Sequence, residues 1–347
     1  VEVFPENFFV TPVEVSEAEE FWEQIRRELS SPPAIDVSYG MLDSFLQMDL
    51  AGRPEGRYGG KASNLGRLQR VLLRDGTLDS FIESGFGIPT RYYGEFMQSN
   101  FRGAQSYEEY IQELLASEDV RTDSGLRFQL LDEFRQFVRD NGEVDANLVQ
   151  DLALKIESVF GDLTTMVRFR SSSNAEDALV FNGAGLYEST SVCALDTLDR
   201  NDRNSSHCDP SRSSERTIER ALKKVWSSLW TFRAHEERTF YQIDPASAVM
   251  GIAVTRSFLD ETANGVAFTG SPRDVEDKRY VVTAQVGEGS VVSPPAGTTV
   301  ERTLLEVGTE GEVENIIRSR ASNQVDPGVV VVSDEDLREL VRFMWRV

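Results

Sequence analysis

Histidine and cysteine are nearly absent, with two of each in 347 residues. His207 and His235 cannot anchor a histidine-rich metal site. Cys193 and Cys208 form no Cys-x-x-Cys pair and are too few for a disulfide scaffold. Any metal must therefore draw on carboxylates, which favours a hard cation such as Mg²⁺ over zinc. Positive charge is also scarce: 36 Lys and Arg stand against 58 Asp and Glu, a net charge of -22. That surface repels nucleic acid, yet one locally positive site still suffices for a small anion. No apolar run reaches the roughly 20 residues of a membrane helix. No basic segment followed by an apolar stretch opens the chain. The expectation is no nucleic-acid partner, no membrane contact and a cytoplasmic location.

What is present is an ordinary globular balance, 40% hydrophobic and 27% charged, over a length that suits two or three lobes. Helical spacing predicts helices near Val15–Leu29, after Lys61 (Leu65, Leu68 and Leu72 on one face), and at Tyr107–Leu115, Leu126–Val138 and Leu148–Phe160. A long one is expected from about Glu215 to Tyr241, and a last one at Asp334–Arg346. Phe81–Pro89 reads as a turn into an extended segment. Asp196–Ser214, nearly all Asp, Asn, Arg and Ser, reads as a mobile loop. Short β-branched runs at Val249–Val254, Val266–Phe268, Tyr280–Val286 and Val329–Val332 read as strands. Residues 1–45 form an N-terminal extension, 46–244 a first lobe and 245–347 a second, with the boundary near Asp244-Pro245.

Four motifs bear on chemistry. In Gly59-Gly60-Lys61 two glycines permit close approach to a phosphate, and the helix that follows offers free N–H groups and the positive end of its dipole. It is no Walker A loop, because Glu55 stands where the first Gly belongs and Ala62 where Ser or Thr would meet Mg²⁺. The alternative is a turn before a surface helix with a solvated Lys. In Met166–Arg170 alternation sends Val167 and Phe169 one way and Arg168 and Arg170 the other. Arg170 ends the strand, and its guanidinium fork suits phosphate oxygens. The alternative pairs it with Glu176 or Asp177, beside a turn capped by Ser173 and Glu176. Gly183 and Gly185 suit a flexible cover over a ligand, or a plain loop. Glu288, between Gly287 and Gly289 at a strand end, is a plausible Mg²⁺ or ribose ligand. Glu301 and Arg302 supply a second carboxylate and a phosphate contact, unless these are ordinary solvated charges. Trp226, Trp230 and Phe232 read as core, and His235 as a helix-surface residue.

Each piece is weak alone, but the order is specific. Gly-Gly-Lys-x-x-Asn-Leu-Gly is followed by x-Ile-Pro, Arg-Ser-Ser-x-x-x-Glu-Asp, Phe-x-Gly-x-Gly, Lys-Val-Trp-x-Ser-Leu-Trp and Gly-Val-Ala-Phe-Thr. From about Tyr58 to Arg302 this resembles the ATP-binding region of the pyruvate phosphate dikinase and phosphoenolpyruvate synthase family. The resemblance implies an α+β, ATP-grasp-like fold, two lobes with nucleotide held between them, and ATP and Mg²⁺ as ligands. It gives Lys61 and Arg170 to the phosphates, Glu288 to the metal, Arg302 to phosphate in the second lobe and, more loosely, Glu301 to the metal. It further implies a phosphotransferase in which a phosphohistidine domain and an acceptor-binding domain, both outside this chain, pass the phosphoryl group to pyruvate or a similar acceptor. The departures are Gln285-Val286-Gly287-Glu288 where the family has Gly-Leu-Gly-Glu, and Pro294 in place of a Gly. The family's Thr-Ser-His context is missing around His207 and His235. A nucleotide-binding regulatory module with weak catalysis, or an antibiotic phosphotransferase of the same architecture, is the alternative.

Overall fold

A computed structural model describes residues 2–3, 8–9, 14–25, 33–48, 54–75, 84–176, 183, 185–199, 205–258, 260–272, 274, 276–287, 291 and 294–346. Two short strands, β1 (Glu2–Val3) and β2 (Phe8–Phe9), precede helix α1 (Val15–Ile25). Then come α2 (Phe45–Met48), α3 (Glu55–Tyr58), α4 (Gly60–Asp75), β3 (Gly85–Ile88) and α5 (Thr90–Ser99). A small hairpin, β4 (Phe101–Arg102) and β5 (Gln105–Ser106), leads into α6 (Tyr107–Ala116), α7 (Glu118–Thr122), α8 (Ser124–Asn141) and α9 (Ala146–Phe160). Polar caps set these starts: Ser106 and Glu109 form a reciprocal capping box on α6, and the Asp123 and Asp145 carboxylates accept from the first turns of α8 and α9.

The first four-stranded sheet is antiparallel, in the order β3, β8 (Met250–Arg256), β6 (Val167–Ser173), β7 (Thr190–Val192). Its inner face buries Phe86, Ile88, Val167, Phe169, Ile252 and Val254 in one core with Phe96, Phe134, Ile156 and Trp226 from the helices. Its other face carries a small cluster of Phe45, Met48, Tyr58, Ala62 and Ala253. The segment before α2 belongs here too. Tyr39 and Tyr58 both donate to the Asp43 carboxylate, at 2.5 and 2.7 Å, and Ser44 bridges to Phe86. The expected extension, residues 1–45, is thus part of the first sheet's packing over its last dozen residues. β8 lies beyond Asp244-Pro245 and sits inside the first sheet, so the change of sheet falls between Arg256 and Ala263 rather than at the expected boundary.

The second sheet, β12 (Val313–Arg320), β11 (Glu301–Val307), β10 (Tyr280–Val286), β9 (Ala263–Phe268), is also antiparallel. Helix α13 (Asp334–Arg346) covers one face, seating Leu337 and Val341 against Val282 and Leu305. Val329–Val332, expected as a strand, is not one. The Val331 and Val332 amides donate to the Glu301 carboxylate, which supplies the acceptors a sheet ladder would otherwise provide.

Two further expectations change between the sheets. Asp196–Ser214 is not wholly a loop. α10 (Ala194–Leu198) begins it, and the buried Asp196 carboxylate accepts from the His207 and Arg216 amides at 2.7 and 2.8 Å. A Cys193–Cys208 disulfide closes the segment. A 15-residue separation corresponds to about 3 kcal/mol in the chain-entropy account. Urea unfolding with and without reductant should show a loss of that order, and Cys193→Ala should abolish the difference.

The helix expected across Glu215–Tyr241 is three pieces. These are α11 (Ile218–Ser227), a single 3₁₀ turn (Ser228–Trp230) and α12 (Phe232–Phe240). Ser228 donates its hydroxyl back to the Val225 carbonyl, and Thr231 caps α12 by accepting from Ala234, so local side chains compete with helix continuation. Trp226 and Trp230 are core as expected, but so is His235, only 7% exposed. Burial, with Arg238 nearby, pushes the His235 imidazole down to about 4. The folded group is then the weaker base, so the unfolded chain binds the extra proton. Stability should hold above about pH 6.5 and fall between there and about pH 4, by roughly 3 kcal/mol in full. Urea midpoints across that range should lose this slope in His235→Asn.

Candidate functional site

Three segments converge on the far edge of β6. The first is the α3–α4 junction. Gly59 has φ 78° and ψ 175°, a backbone open to glycine alone. A Cβ there would lie 1.7 Å from the Ser172 carbonyl oxygen. The close approach expected of a phosphate is therefore taken by strand β6. The helix start is taken as well: the Ala62 amide donates to Ser172 Oγ at 2.9 Å. Gly60 begins α4, and Lys61 follows in its first turn.

Lys61 does not point freely into solvent. Its Nζ lies 2.5 Å from Glu176 Oε1 and 3.3 Å from Ser171 Oγ. The Glu176 carboxylate is fully buried, and its other oxygen accepts from the Ser173 amide at 2.8 Å. This lysine is therefore held at the end of β6 by a buried carboxylate.

Arg170 is where alternation placed it, on the face opposite Val167 and Phe169. Among the described residues its guanidinium meets Thr255 Oγ1, at 3.3 Å, and no carboxylate at ion-pair distance. Burial, then the neighbouring Arg168 charge, lower its proton affinity, and only the more distant Glu261 opposes them. The expected alternative, an ion pair to Glu176, does not form, because Glu176 takes Lys61 instead. Asp177, the other expected partner, lies outside the described residues. Among the described residues Arg170 is thus a cation without an ion pair, one residue from the serine that contacts Lys61.

The glycine segment after β6 is described at Gly183 and Gly185, both at positive φ, 69° and 75°. Its downstream end is fastened. The Leu186 carbonyl accepts from Thr231 Oγ1, and Glu188 takes Arg135 and Arg139 at 2.5 Å each.

In the second sheet the expected residues separate. Glu288 lies outside the described residues. Gly287, just before it, donates its amide to Thr262, next to the Glu261 whose charge reaches Arg170. Glu301, expected at a metal, is buried beneath α13. One oxygen pairs with Arg318 at 3.0 Å, and the pair of them accepts from Val331 and Val332. That carboxylate is committed to the fold, which corrects the expectation. Arg302 lies on the opposite face of β11, where with Val266, Thr283 and Arg320 it lines a cavity of about 350 Å³. Among the described residues no three His, Cys, Asp or Glu side chains come close enough to hold a metal ion. Of the expected metal ligands, Glu301 does not fit a Mg²⁺ site, and Glu288 lies outside the described residues.

Motif reading missed Glu176 as the partner of Lys61, Ser172 as the cap of α4, and Thr255 beside Arg170. The capping pattern Ser-x-x-Glu placed Glu176 on the Ser173 amide, as found, but did not point to Lys61. Nothing in the local sequence links residues 85 to 115 positions apart.

A family model described as pyruvate phosphate dikinase, AMP/ATP-binding domain, matches residues 55–342. The chain belongs to this family. The dikinase domain runs from α3 to α13 and so contains both sheets. Among curated proteins the chain is similar to phosphoenolpyruvate synthase of Pyrococcus furiosus, 26% identical over 218 residues, which is 61% of this chain and 24% of that protein. It is similar also to a probable phosphoenolpyruvate synthase of Pyrococcus horikoshii, 24% identical over 294 residues, 76% of this chain and 32% of that protein. The chain thus spans about a quarter to a third of the relatives it matches. Of the residues assigned from motifs, Lys61 contacts the end of β6 and Arg170 lies on it, Arg302 is in the second sheet, and Glu301 is held by Arg318 and the Val331 amide.

Proposed function

We propose that this dikinase domain binds ATP in an ATP-grasp-like manner, with nucleotide held between the two sheets and its phosphates drawn to Lys61 and Arg170. The observation that carries the reading is Arg170. An exposed guanidinium with no ion-pair partner among the described residues is placed to meet a polyanion. Lys61 adds a second charge and Arg302 a third. Phosphoryl transfer is mainly positioning and neutralisation of developing charge, and these cations supply both. Glu288 is the carboxylate left for a metal, and Gly59, Gly60, Gly183 and Gly185 shape the backbone around the site.

By the same reading, the acceptor is a histidine on another domain, and pyruvate or a similar compound follows it. The phosphoenolpyruvate synthases among the relatives support this. The disulfide favours an oxidising compartment over the expected reducing cytosol. Calorimetric titration with ATP and Mg²⁺ should show saturable binding. Folded protein that binds nothing at about millimolar ATP, an affinity near -4 kcal/mol, would sink the reading.

A second reading has two observations in its favour. Glu301 is withdrawn from the site, and Lys61 is closed onto Glu176. A domain that binds nucleotide without turning it over would look the same. Acceptor-dependent release of AMP by the full-length protein separates the two.

A further inference from the structure

A second cavity system shares no residue with Lys61, Arg170 or Arg302. One chamber, of about 530 Å³, is lined by His235 and Thr239 of α12, Gln242 just after it, Thr122 of α7 and Arg127 of α8. The other, of about 270 Å³, is lined by Tyr93, Met97, Ile111 and Trp230. Leu115, Asp244 and Pro245 line both. The larger chamber falls within the roughly 300–1,000 Å³ typical of ligand pockets.

Three observations define what would fit. The charges around the larger chamber are already matched. Arg127 forks both oxygens of Glu236 at 2.8 and 3.0 Å, Arg121 pairs with Glu118, and Asp244 accepts from the Ala246 amide. An ionic ligand would have to break one of these pairs. Second, the His235 side chain is 93% buried by its 7% exposure, and its Nδ1 has no hydrogen-bond partner. It is neutral, so its ring offers one N–H and one lone pair. Third, Gln242 takes φ 57° where α12 ends. The Ile243 amide reaches the Arg238 carbonyl and the Gln242 amide the Thr239 carbonyl, a helix stop that favours glycine. An amide side chain stands there instead, at the chamber wall.

The smaller chamber is different in kind. Tyr93 and Trp230 are 4% exposed, and the indole N–H donates to the Tyr93 hydroxyl at 3.0 Å. That leaves the phenolic proton in a chamber whose wall is aromatic and aliphatic on one side and carries Glu108 and Gln112 as well.

We propose that this pair of chambers is a binding site for an uncharged glycoside. Its hydroxylated ring faces His235, Thr239 and Gln242, and its flat apolar portion lies against Tyr93 and Trp230. A nucleoside and an aryl glycoside share that chemistry. The probes are adenosine, phenyl β-glucoside and glucose, titrated into the intact chain and followed by ligand-observed NMR and calorimetry. At least one glycoside should saturate below about 10 mM, with glucose alone weaker by about tenfold for lack of the apolar contact. Gln242→Ala and His235→Asn should each weaken it by roughly five- to tenfold. Thr239→Trp, at the exposed rim, should block it while leaving the melting temperature and ATP titration unchanged. Saturating ATP should not displace the glycoside. The proposal is overturned if no probe saturates, if binding survives Thr239→Trp, or if ATP competes, which would assign adenosine to the Arg170 site instead. A failure of ATP binding leaves the glycoside result untouched.

Discussion

Gly59→Ala is expected to cost more than about 4 kcal/mol and to leave little folded protein at 25 °C. Two terms add. Backbone at φ 78° and ψ 175° is strained for any residue with a Cβ, by about 1–3 kcal/mol. The new methyl would also sit 1.7 Å from the Ser172 carbonyl oxygen, and backbone on both sides prevents relief by a rotamer change. Separating α4 from β6 far enough would break the Ala62–Ser172 hydrogen bond and draw Lys61 away from Glu176. Gly103→Ala is the control. Gly103 shares the positive φ, 69°, but nothing lies within 4 Å of its Cβ position, so about 1 kcal/mol is expected. Urea unfolding of both variants checks the contrast. Equal losses would mean that backbone strain, not the approach to β6, sets the need for glycine.

This glycine shows how far the sequence could be read. Its presence ahead of Lys61 marked a special backbone, and rightly so. What it approaches could not be read locally, because Ser172 lies more than a hundred residues later in the chain. The same limit applies to Glu301. Alternation along β11 sends it away from Arg302, but its Arg318 and Val331 partners arrive from β12 and from the segment before α13. Arg170, in contrast, was legible in full, since a period of two in Val167–Arg170 needs no distant partner. Helix α13 was legible from its acidic first turn and its stripe of Leu337 and Val341. The break at Ser228 was not. Serine and threonine hydroxyls decide there between continuing a helix and capping a new one, and both outcomes fit the apolar spacing of Leu222, Val225 and Leu229.

The second large effect separates Lys61 from Arg170. Both are assigned to phosphate, and both should lose nucleotide affinity on truncation, but stability should move differently. Arg170→Ala removes an exposed charge that has no ion-pair partner among the described residues and that lies near Arg168. Stability should stay within about 0.5 kcal/mol of the parent or rise. ATP affinity should fall by roughly 30- to 150-fold, the worth of a charge-assisted contact to phosphate. Lys61→Ala should weaken ATP by a similar factor and also destabilise the apo protein by about 3 kcal/mol. It strands the fully buried Glu176 carboxylate, and truncating one partner of a buried pair is costly. The double variant Lys61→Ala with Glu176→Gln should recover part of that stability without recovering ATP, because the neutral amide needs no cation while the phosphates still do. Calorimetry with ATP and urea unfolding of the same three proteins resolve the pattern. Arg170→Ala with unchanged ATP affinity would remove the main support for the nucleotide site. Lys61→Ala with unchanged stability would mean that contacts such as that from the Ser173 amide hold Glu176 without the lysine, and that the lysine is free to serve the nucleotide without a structural role.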